Sequence, residues 1–460
     1  MLKKYIGDRV FLRRVLYVAL PIMVQNAITT FVSLLDNVMV GQVGTEQMSG
    51  VAIVNGILFV FNMCVFGAVS GPGIFTAQFF GNADHEGVRH TFRFKVLIVV
   101  ALTVLGWVIF LLGGGWLIEL YLKGEGEAAA IAATKDYAMQ YLSIMMLSML
   151  PFALTNAYSG TLRETGQTMV PMVASCIAVG VNLSLNYVLI FGAFGLPALG
   201  ANGAAMATVT ARFTELALVA GWTHRNKVKN AFIVGAYRSF RIPQDLSRSI
   251  WIKGMPLLFN EFLWAYGMAF LNQCYSLLGY DVVGAMNITR VLTDLSSVAF
   301  MAMGMSVGII VGQLMGSGAS EDEVRDADRK IITIAVLVCF VFGSLMAAFS
   351  GLFPMLYDTE DSVRKLATQL ICVGAAIMPF NAYTTSAYFT LRSGGKTVVT
   401  FLFDSLFVWV VIVPIAYCLS HFTAVPIVPL YIICQGTDLL KCVLGYIMIK
   451  RGDWIQNLAQ

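Results

Sequence analysis

The sequence predicts an all-α polytopic membrane protein with twelve transmembrane helices in two pseudo-symmetric six-helix lobes, and three observations carry that expectation. The first is composition. Of 460 residues, 58% are hydrophobic and 12% charged, with a mean hydropathy of +0.76, far from the roughly half apolar, one-quarter charged norm of soluble domains. The second is a succession of apolar runs of about 20 residues, the length that crosses a hydrocarbon layer. The third is an internal repeat. Leu162-Arg163-Glu164-Thr165-Gly166-Gln167-Thr168 returns as Leu391-Arg392-Ser393-Gly394-Gly395-Lys396-Thr397, an offset of 229. Pro21 matches Pro256, and Gln78 and Gly81 match Gln313 and Gly316, all at 235, while Arg89 and Arg93 match Arg325 and Arg329 at 236. Ordered matches with small loop differences indicate one half copied twice, the arrangement of transporters whose path lies between repeats.

The first expected span, 15–40, runs past Asp36 to Gly41 without a small-residue cleavage site, so it reads as a retained helix. Spans 48–70 and 94–113 follow, separated by a loop bearing Arg89, Arg93 and Lys95. Span 136–158 ends at the first heptad, and 169–191 and 200–222 complete a lobe over 1–222. A basic linker, 223–248, leads to a second lobe over 249–460 with spans 249–278, 283–315, 330–350, 364–388, 397–419 and 425–449. Six is an even number, so the repeats share one orientation.

Lys and Arg set that orientation, because cytoplasmic loops are enriched in them. Twenty-three basic residues fall on one side: Lys3, Lys4, Arg9, Arg13, Arg14, Arg89, Arg93, Lys95, Arg163, Arg225, Lys227, Lys229, Arg238, Arg241, Arg248, Lys253, Arg325, Arg329, Lys330, Arg392, Lys396, Lys450 and Arg451. Only Lys123, Lys135, Arg364 and Lys365 fall on the other. Both termini are therefore expected in the cytoplasm of a multi-pass protein of the plasma or inner membrane. The net charge of +4 reflects this bias, and its dispersal over loops argues against nucleic acid as a partner. The linker, with Asn226, Asn230 and Pro243 as turn formers, reads as a solvated connector or as a contact with anionic membrane lipid.

Cysteine and histidine carry little chemistry. The eight cysteines lie in expected spans without Cys-x-x-Cys spacing, as small apolar packing residues do. The four histidines sit in or near loops, and neither a zinc-ligand motif nor a glycine-rich nucleotide loop occurs. The expectation is a protein that is not an enzyme and needs no resident cofactor or metal.

Intramembrane ionisable residues are the chemistry on offer, since each costs about 2.5–3.5 kcal/mol at a helix centre and marks a functional site by default. Arg212 with Glu215, Arg290 with Asp294, and Asp438 with Lys441 stand three or four residues apart, where helix neighbours share a face, and read as structural ion pairs. Asp36, Glu261 and Asp404 have no such neighbour. Glu261 lies twelve residues into its expected span, about 18 Å deep at 1.5 Å per residue, and occupies the repeat position of Asn26. A carboxyl there suits proton exchange or neutralisation of a cation, or else a permanently protonated group bonded to a carbonyl. Asn182 and Asn186 share a helix face at the depth of Asp36, forming an oxygen-rich group suited to Na⁺ or to a proton-controlled network. The alternative is that the two amides bond neighbouring helices. Asp404, seven residues into its span, reads as a partner for a cytoplasmic Arg or Lys.

The chain resembles the multidrug and toxic compound extrusion (MATE) family along most of its length. The residues that carry the resemblance are Leu20-Pro21 leading to Asp36 and Gly41-Gln42-Val43-Gly44, Ala77-Gln78-Phe79-Phe80-Gly81, the 162–168 heptad, Asn182 to Gly192, and Gly200-Ala201-Asn202-Gly203-Ala204-Ala205. The resemblance implies an H⁺- or Na⁺-coupled antiporter that exports bulky organic cations, working as a monomer. It maps an amino-lobe cation site, with possible Na⁺, onto Asp36, Asn182, Asn186 and Thr208, and a carboxy-lobe site onto Glu261 and Asn381. Two departures bear on the ion: Asn186 stands where an archaeal-like branch often carries Asp, and Asn381 where a NorM-like branch carries Asp. A lipid-linked precursor flippase of the same superfamily is the alternative, disfavoured because the unpaired charges are acidic. A channel or membrane enzyme fits less well, given the repeat and the absence of a nucleophile or metal set.

Overall fold

In the computed structural model, described for residues 5–122, 128–357 and 359–459, twelve long helices follow one another and no strand occurs among the described residues. Lys3, Lys4 and Lys123 of the charge pattern lie outside them. The helices are α1 (Arg9–Gly41), α2 (Thr45–Gly81), α3 (His85–Tyr121), α4 (Ala128–Glu164), α5 (Met169–Phe191), α6 (Ala201–Arg225), α7 (Gln244–Ser276), α8 (Tyr280–Gly316), α9 (Glu321–Ala348), α10 (Asp361–Ser393), α11 (Thr397–Phe422) and α12 (Ile427–Arg451). Ten are long and apolar enough to cross a membrane. The other two, α6 and α7, carry more polar and charged residues along their length.

Most helices overrun the apolar spans, because polar first and last turns continue the hydrogen-bonded ladder beyond the greasy segment. Helix α9 begins at Glu321, ahead of the apolar run, under a capping box: Ser320 Oγ accepts from the Glu323 amide, and the Glu323 carboxylate accepts from the Ser320 amide. Helix α11 departs from regular geometry, with π-helical turns at Leu402–Leu406 and Val408–Ile412.

The repeated heptad is a helix stop. Gly166 and Gly395 take left-handed φ of 81° and 75°. In each copy the next amide reaches back five residues: Gln167 N to Leu162 O at 2.7 Å and Lys396 N to Leu391 O at 3.2 Å. The glycine amide bonds Arg163 O or Arg392 O at 3.0 and 2.9 Å, completing a Schellman turn that needs a residue free of Cβ strain.

By packing, the chain forms two compact units. The amino unit holds Val24–Thr76 and His85–Trp251; the carboxy unit holds Met1–Met23, Ala77–Asp84 and Ile252–Gln460. Residues 5–23 and 77–84 thus pack with the carboxy unit, although chain order places them in the 1–222 lobe. Val15, Val18, Ala19 and Ile22 of α1 share a buried core with Met303, Val307 and Ile310 of α8, Leu391, Phe403 and Trp454. The matched Gln-x-x-Gly motifs account for the α2 end. A Cβ on Gly81 would lie 2.0 Å from the Gln313 carbonyl oxygen, and one on Gly316 would lie 1.9 Å from that of Gln78. Each motif's glycine therefore admits the other motif's backbone. Gln78 further donates to Ser393 O (3.0 Å) and Gln456 O (3.1 Å) and accepts from the Leu458 amide (2.5 Å).

The linker is solvated at its ends but packed at its centre, so it is more than a solvated connector. Phe232 and Ile233 are buried, and Phe232 contacts Phe92 of α3. Arg93 donates to Gly235 O and Ala236 O at 2.8 Å and to Arg241 O at 3.2 Å, so its guanidinium satisfies carbonyls that a helical linker would have paired itself.

Candidate functional site

In the amino unit, α1, α5 and α6 bring Asp36, Asn182, Asn186 and Thr208 into one group. Asn186 Nδ2 donates to Asp36 Oδ1 at 2.5 Å and to Asn182 Oδ1 at 3.3 Å, while Asn182 Nδ2 donates to Thr208 Oγ1 at 3.3 Å. The i, i+4 spacing on α5 aligns the two amides, as the sequence indicates. Asn186 is fully buried and its Oδ1 has no donor. A buried carbonyl oxygen left without a partner costs about 1–3 kcal/mol, so the group presents an open acceptor position beside a carboxylate. Half-buried Asp36 completes an oxygen set that a proton or a small cation would satisfy.

A second network in that unit joins α1, α4, α5 and α6. Arg163 donates to Gln25 Oε1 (2.7 Å), Gln25 to Ser175 Oγ (2.6 Å), and Ser175 to Glu215; Arg212 donates to Glu215 at 3.1 Å. The Arg212–Glu215 pair stands where spacing places it, but as the end of this chain. Lys95, fully buried, pairs with Glu164 and donates to Thr161 at 3.1 Å.

In the carboxy unit, Glu261 accepts from the Tyr388 hydroxyl at 3.0 Å. Asn260 beside it donates to Tyr388 Oη at 3.4 Å and Asp404 Oδ2 at 3.1 Å, and its Oδ1 accepts from Ser405 Oγ at 2.7 Å. Lys441 donates to Asp404 Oδ1 at 3.0 Å. This corrects one expected pair: Lys441 reaches across from α12 to α11 rather than to Asp438 on its own helix. Asp404 likewise pairs inside the bundle, not with a loop Arg or Lys. The reason is local. The π-turn containing Asp404 and Ser405 sets both next to Asn260, and Lys441 has two aromatic rings, Phe403 and Phe407, each 5.6 Å away. Arg290 and Asp294 do pair, at 3.7 Å on an exposed face. Asn381, two turns before Tyr388, is not brought into this network by any bond among the described residues; its main-chain oxygen accepts from Thr384 on the same helix at 3.1 Å.

Sequence reasoning missed Gln25, Asn260, Ser405, Tyr388 and Asp328. The repeat held the signal for two of them, since Gln25 and Asn260 are 235 apart and each is the hub of its unit's network. Asp328, 1% exposed, accepts from Thr390 at 2.5 Å and was hidden among the charges of a helix start.

Against this geometry, a model of the MatE family matches residues 21–188 and 256–418, one match in each repeat. The chain belongs to the MATE family. A probable multidrug resistance protein NorM of Thermotoga maritima is 21% identical over 96% of this chain and 93% of its own length. The probable multidrug resistance protein YoeA of Bacillus subtilis is 23% identical over 90% and 88%. Among solved structures, a multidrug resistance MATE family transporter of the MOP superfamily in an outward-facing conformation superposes with a TM-score of 0.86 at 17% identity, covering 98% of each chain. The fold is thus that of MATE transporters, and this chain is a multi-pass membrane protein of a multidrug transporter family.

Proposed function

We propose that this MATE protein is a cation-coupled antiporter, driven by H⁺ or Na⁺, that exports organic, mostly cationic amphipathic compounds by alternating access, as a monomer with both termini in the cytoplasm. The observation that supports it most is the Asp36 group: one carboxylate, two aligned amides and a hydroxyl, with the buried Asn186 oxygen still lacking a donor. A coupling ion and an organic cation would both neutralise Asp36, so binding of one disfavours the other, which is the negative linkage antiport requires. In the carboxy unit the candidate coupling carboxyl is Glu261, at the repeat position of Asn26 rather than of Asp36. A potential of 100 mV supplies about 2.3 kcal/mol per charge, roughly a fifty-fold substrate gradient.

Counterflow in proteoliposomes tests the substrate class. Labelled organic monocations are expected to exchange, and matched anionic or phosphate-bearing lipid probes are not. Preferential exchange of the phosphate-bearing probes would replace this reading with that of a lipid-linked precursor flippase.

A further inference from the structure

The two hubs identified above are repeat equivalents, and comparing what surrounds them shows where the copies diverge. Gln25 corresponds to Asn260 and Asn26 to Glu261 at an offset of 235, while Ser175 corresponds to Asp404 and Ser159 to Tyr388 at 229. Glu215 and Lys441 each stand fourteen residues after the first residue of their helices, Ala201 and Ile427. Each unit therefore carries the same three-part brace: an amide on its first helix, a polar residue on its fifth and an ionisable residue on its sixth. In the amino unit the brace reads Gln25–Ser175–Glu215; in the carboxy unit it reads Asn260–Asp404–Lys441, with the terminal charge reversed.

A second difference lies in what the brace touches. In the carboxy unit Tyr388 joins it to a carboxyl, accepting from Asn260 and donating its one proton to Glu261. At the equivalent place in the amino unit, Ser159 has a buried hydroxyl with no partner and Asn26 replaces the carboxyl. The hydrogen-bonded line Lys441–Asp404–Asn260–Tyr388–Glu261 thus belongs to the copy that has a carboxyl where the other has Asn26. It also coincides with the irregular part of α11, and π-turns of this kind recur at functional sites.

We propose that Asp404 and Lys441 are positioning residues for Glu261: their ion pair fixes Asn260, which fixes the Tyr388 hydroxyl, which sets the geometry in which Glu261 gives and takes its coupling ion. Lys441 acts as a tethered cation. With its ammonium on Asp404, that carboxylate needs no mobile ion, which leaves Glu261 as the carboxyl of this hydrogen-bonded line that a mobile ion neutralises. The proposal rests on Glu261 being a coupling carboxyl. The chemistry favours this over a purely structural pair on one point. Two charges are expensive to bury, and replacing such a pair by apolar groups is often neutral for stability, so stability alone gives no reason to keep both.

The test uses purified protein in proteoliposomes with two readouts: counterflow exchange at zero gradient, and uphill accumulation under whichever ion gradient drives the wild type. The double variant Asp404→Asn/Lys441→Met removes both charges and leaves no unpaired one. It is expected to exchange within about threefold of wild type and to accumulate at least tenfold less. Tyr388→Phe is expected to accumulate at least tenfold less, and Lys441→Arg to retain accumulation. Wild-type accumulation in the double variant overturns the proposal, and so does a proportionate loss of exchange and accumulation, which would mark the pair as structural. Glu261→Gln separates the two claims. If it accumulates normally, the underlying reading of Glu261 fails. If it uncouples while the double variant does not, only the brace proposal fails.

Discussion

The crossing of the two Gln-x-x-Gly motifs offers a perturbation whose size can be worked out. In Gly81→Ala the new Cβ lies 2.0 Å from Gln313 O, 2.8 Å from its carbonyl carbon and 3.0 Å from its Cα; in Gly316→Ala the distances to the same atoms of Gln78 are 1.9, 2.5 and 2.6 Å. Carbon–oxygen contacts settle at about 3.3–3.6 Å, so the helix ends must part by more than ~1 Å. The obstructing atoms are helix backbone, which cannot swing aside as a side chain can. Overpacking of this kind costs about 1–3 kcal/mol, and lost close contacts between helices add about 0.5–1 kcal/mol. An unfolding entropy of roughly 2.1 cal/mol/K per residue gives about 1 kcal/mol/K for a chain of this length, so each substitution is expected to lower Tm in detergent by about 2–4 °C. Gly113→Ala is the control, because nothing lies within 4 Å of its added Cβ and alanine favours helix by about 1 kcal/mol. Both substitutions act on one crossing, so the double variant should lose less than the sum. Gly81→Ala and Gly316→Ala melting together with Gly113→Ala would refute the close crossing.

Three further outcomes follow from other parts of the molecule. With native cysteines replaced, Val228→Cys, at a 98% exposed linker position, should react with an impermeant thiol reagent only from the cytoplasmic side, and Phe194→Cys, 91% exposed, only from outside; the reverse pattern contradicts the assigned orientation. Arg93→Leu removes the donor to three linker carbonyls and should speed proteolysis between residues 226 and 243 severalfold, whereas unchanged cleavage would show that Phe232 and Ile233 hold the linker alone. Asn186→Ala removes the donor to Asp36. It also removes the Asn186 oxygen, and an interaction with a charged group contributes about 1.5–3 kcal/mol, so Na⁺ binding should weaken roughly ten- to a hundredfold if Na⁺ is the coupling ion, and the pH dependence of transport should shift if H⁺ is; an unchanged ion dependence would remove Asn186 from the site.

The sequence made the helices legible because each apolar run announces itself and the repeat confirms it. Helix ends were less legible: the turns from His85 to Arg93 and from Glu321 to Lys330 are polar, and only caps and tertiary partners extend the helices through them. The Asp36 group was readable because three of its four members needed only one helical spacing and a shared depth. Lys441 was misassigned because spacing along a helix reveals partners on that helix and is blind to a residue on another. Two π-turns in α11 turned Asp404 toward Asn260, and no local pattern in Leu402–Ile412 forecasts them. The linker's burial had a signal, the apolar Ala231-Phe232-Ile233 triplet inside a basic stretch, which charge counting overrode.

The central claim is that Asp36, in its oxygen group, couples an ion gradient to export. Its most direct test is uphill transport of an organic cation by purified wild type and Asp36→Asn in proteoliposomes, under an imposed pH gradient without Na⁺ and an imposed Na⁺ gradient at constant pH. Wild type is expected to accumulate substrate under at least one regime, and Asp36→Asn, which is isosteric but fixed in charge, under neither, while remaining folded. Undiminished accumulation by Asp36→Asn under the driving gradient would contradict the account and leave the Asp36–Asn186–Asn182–Thr208 group as interhelical packing.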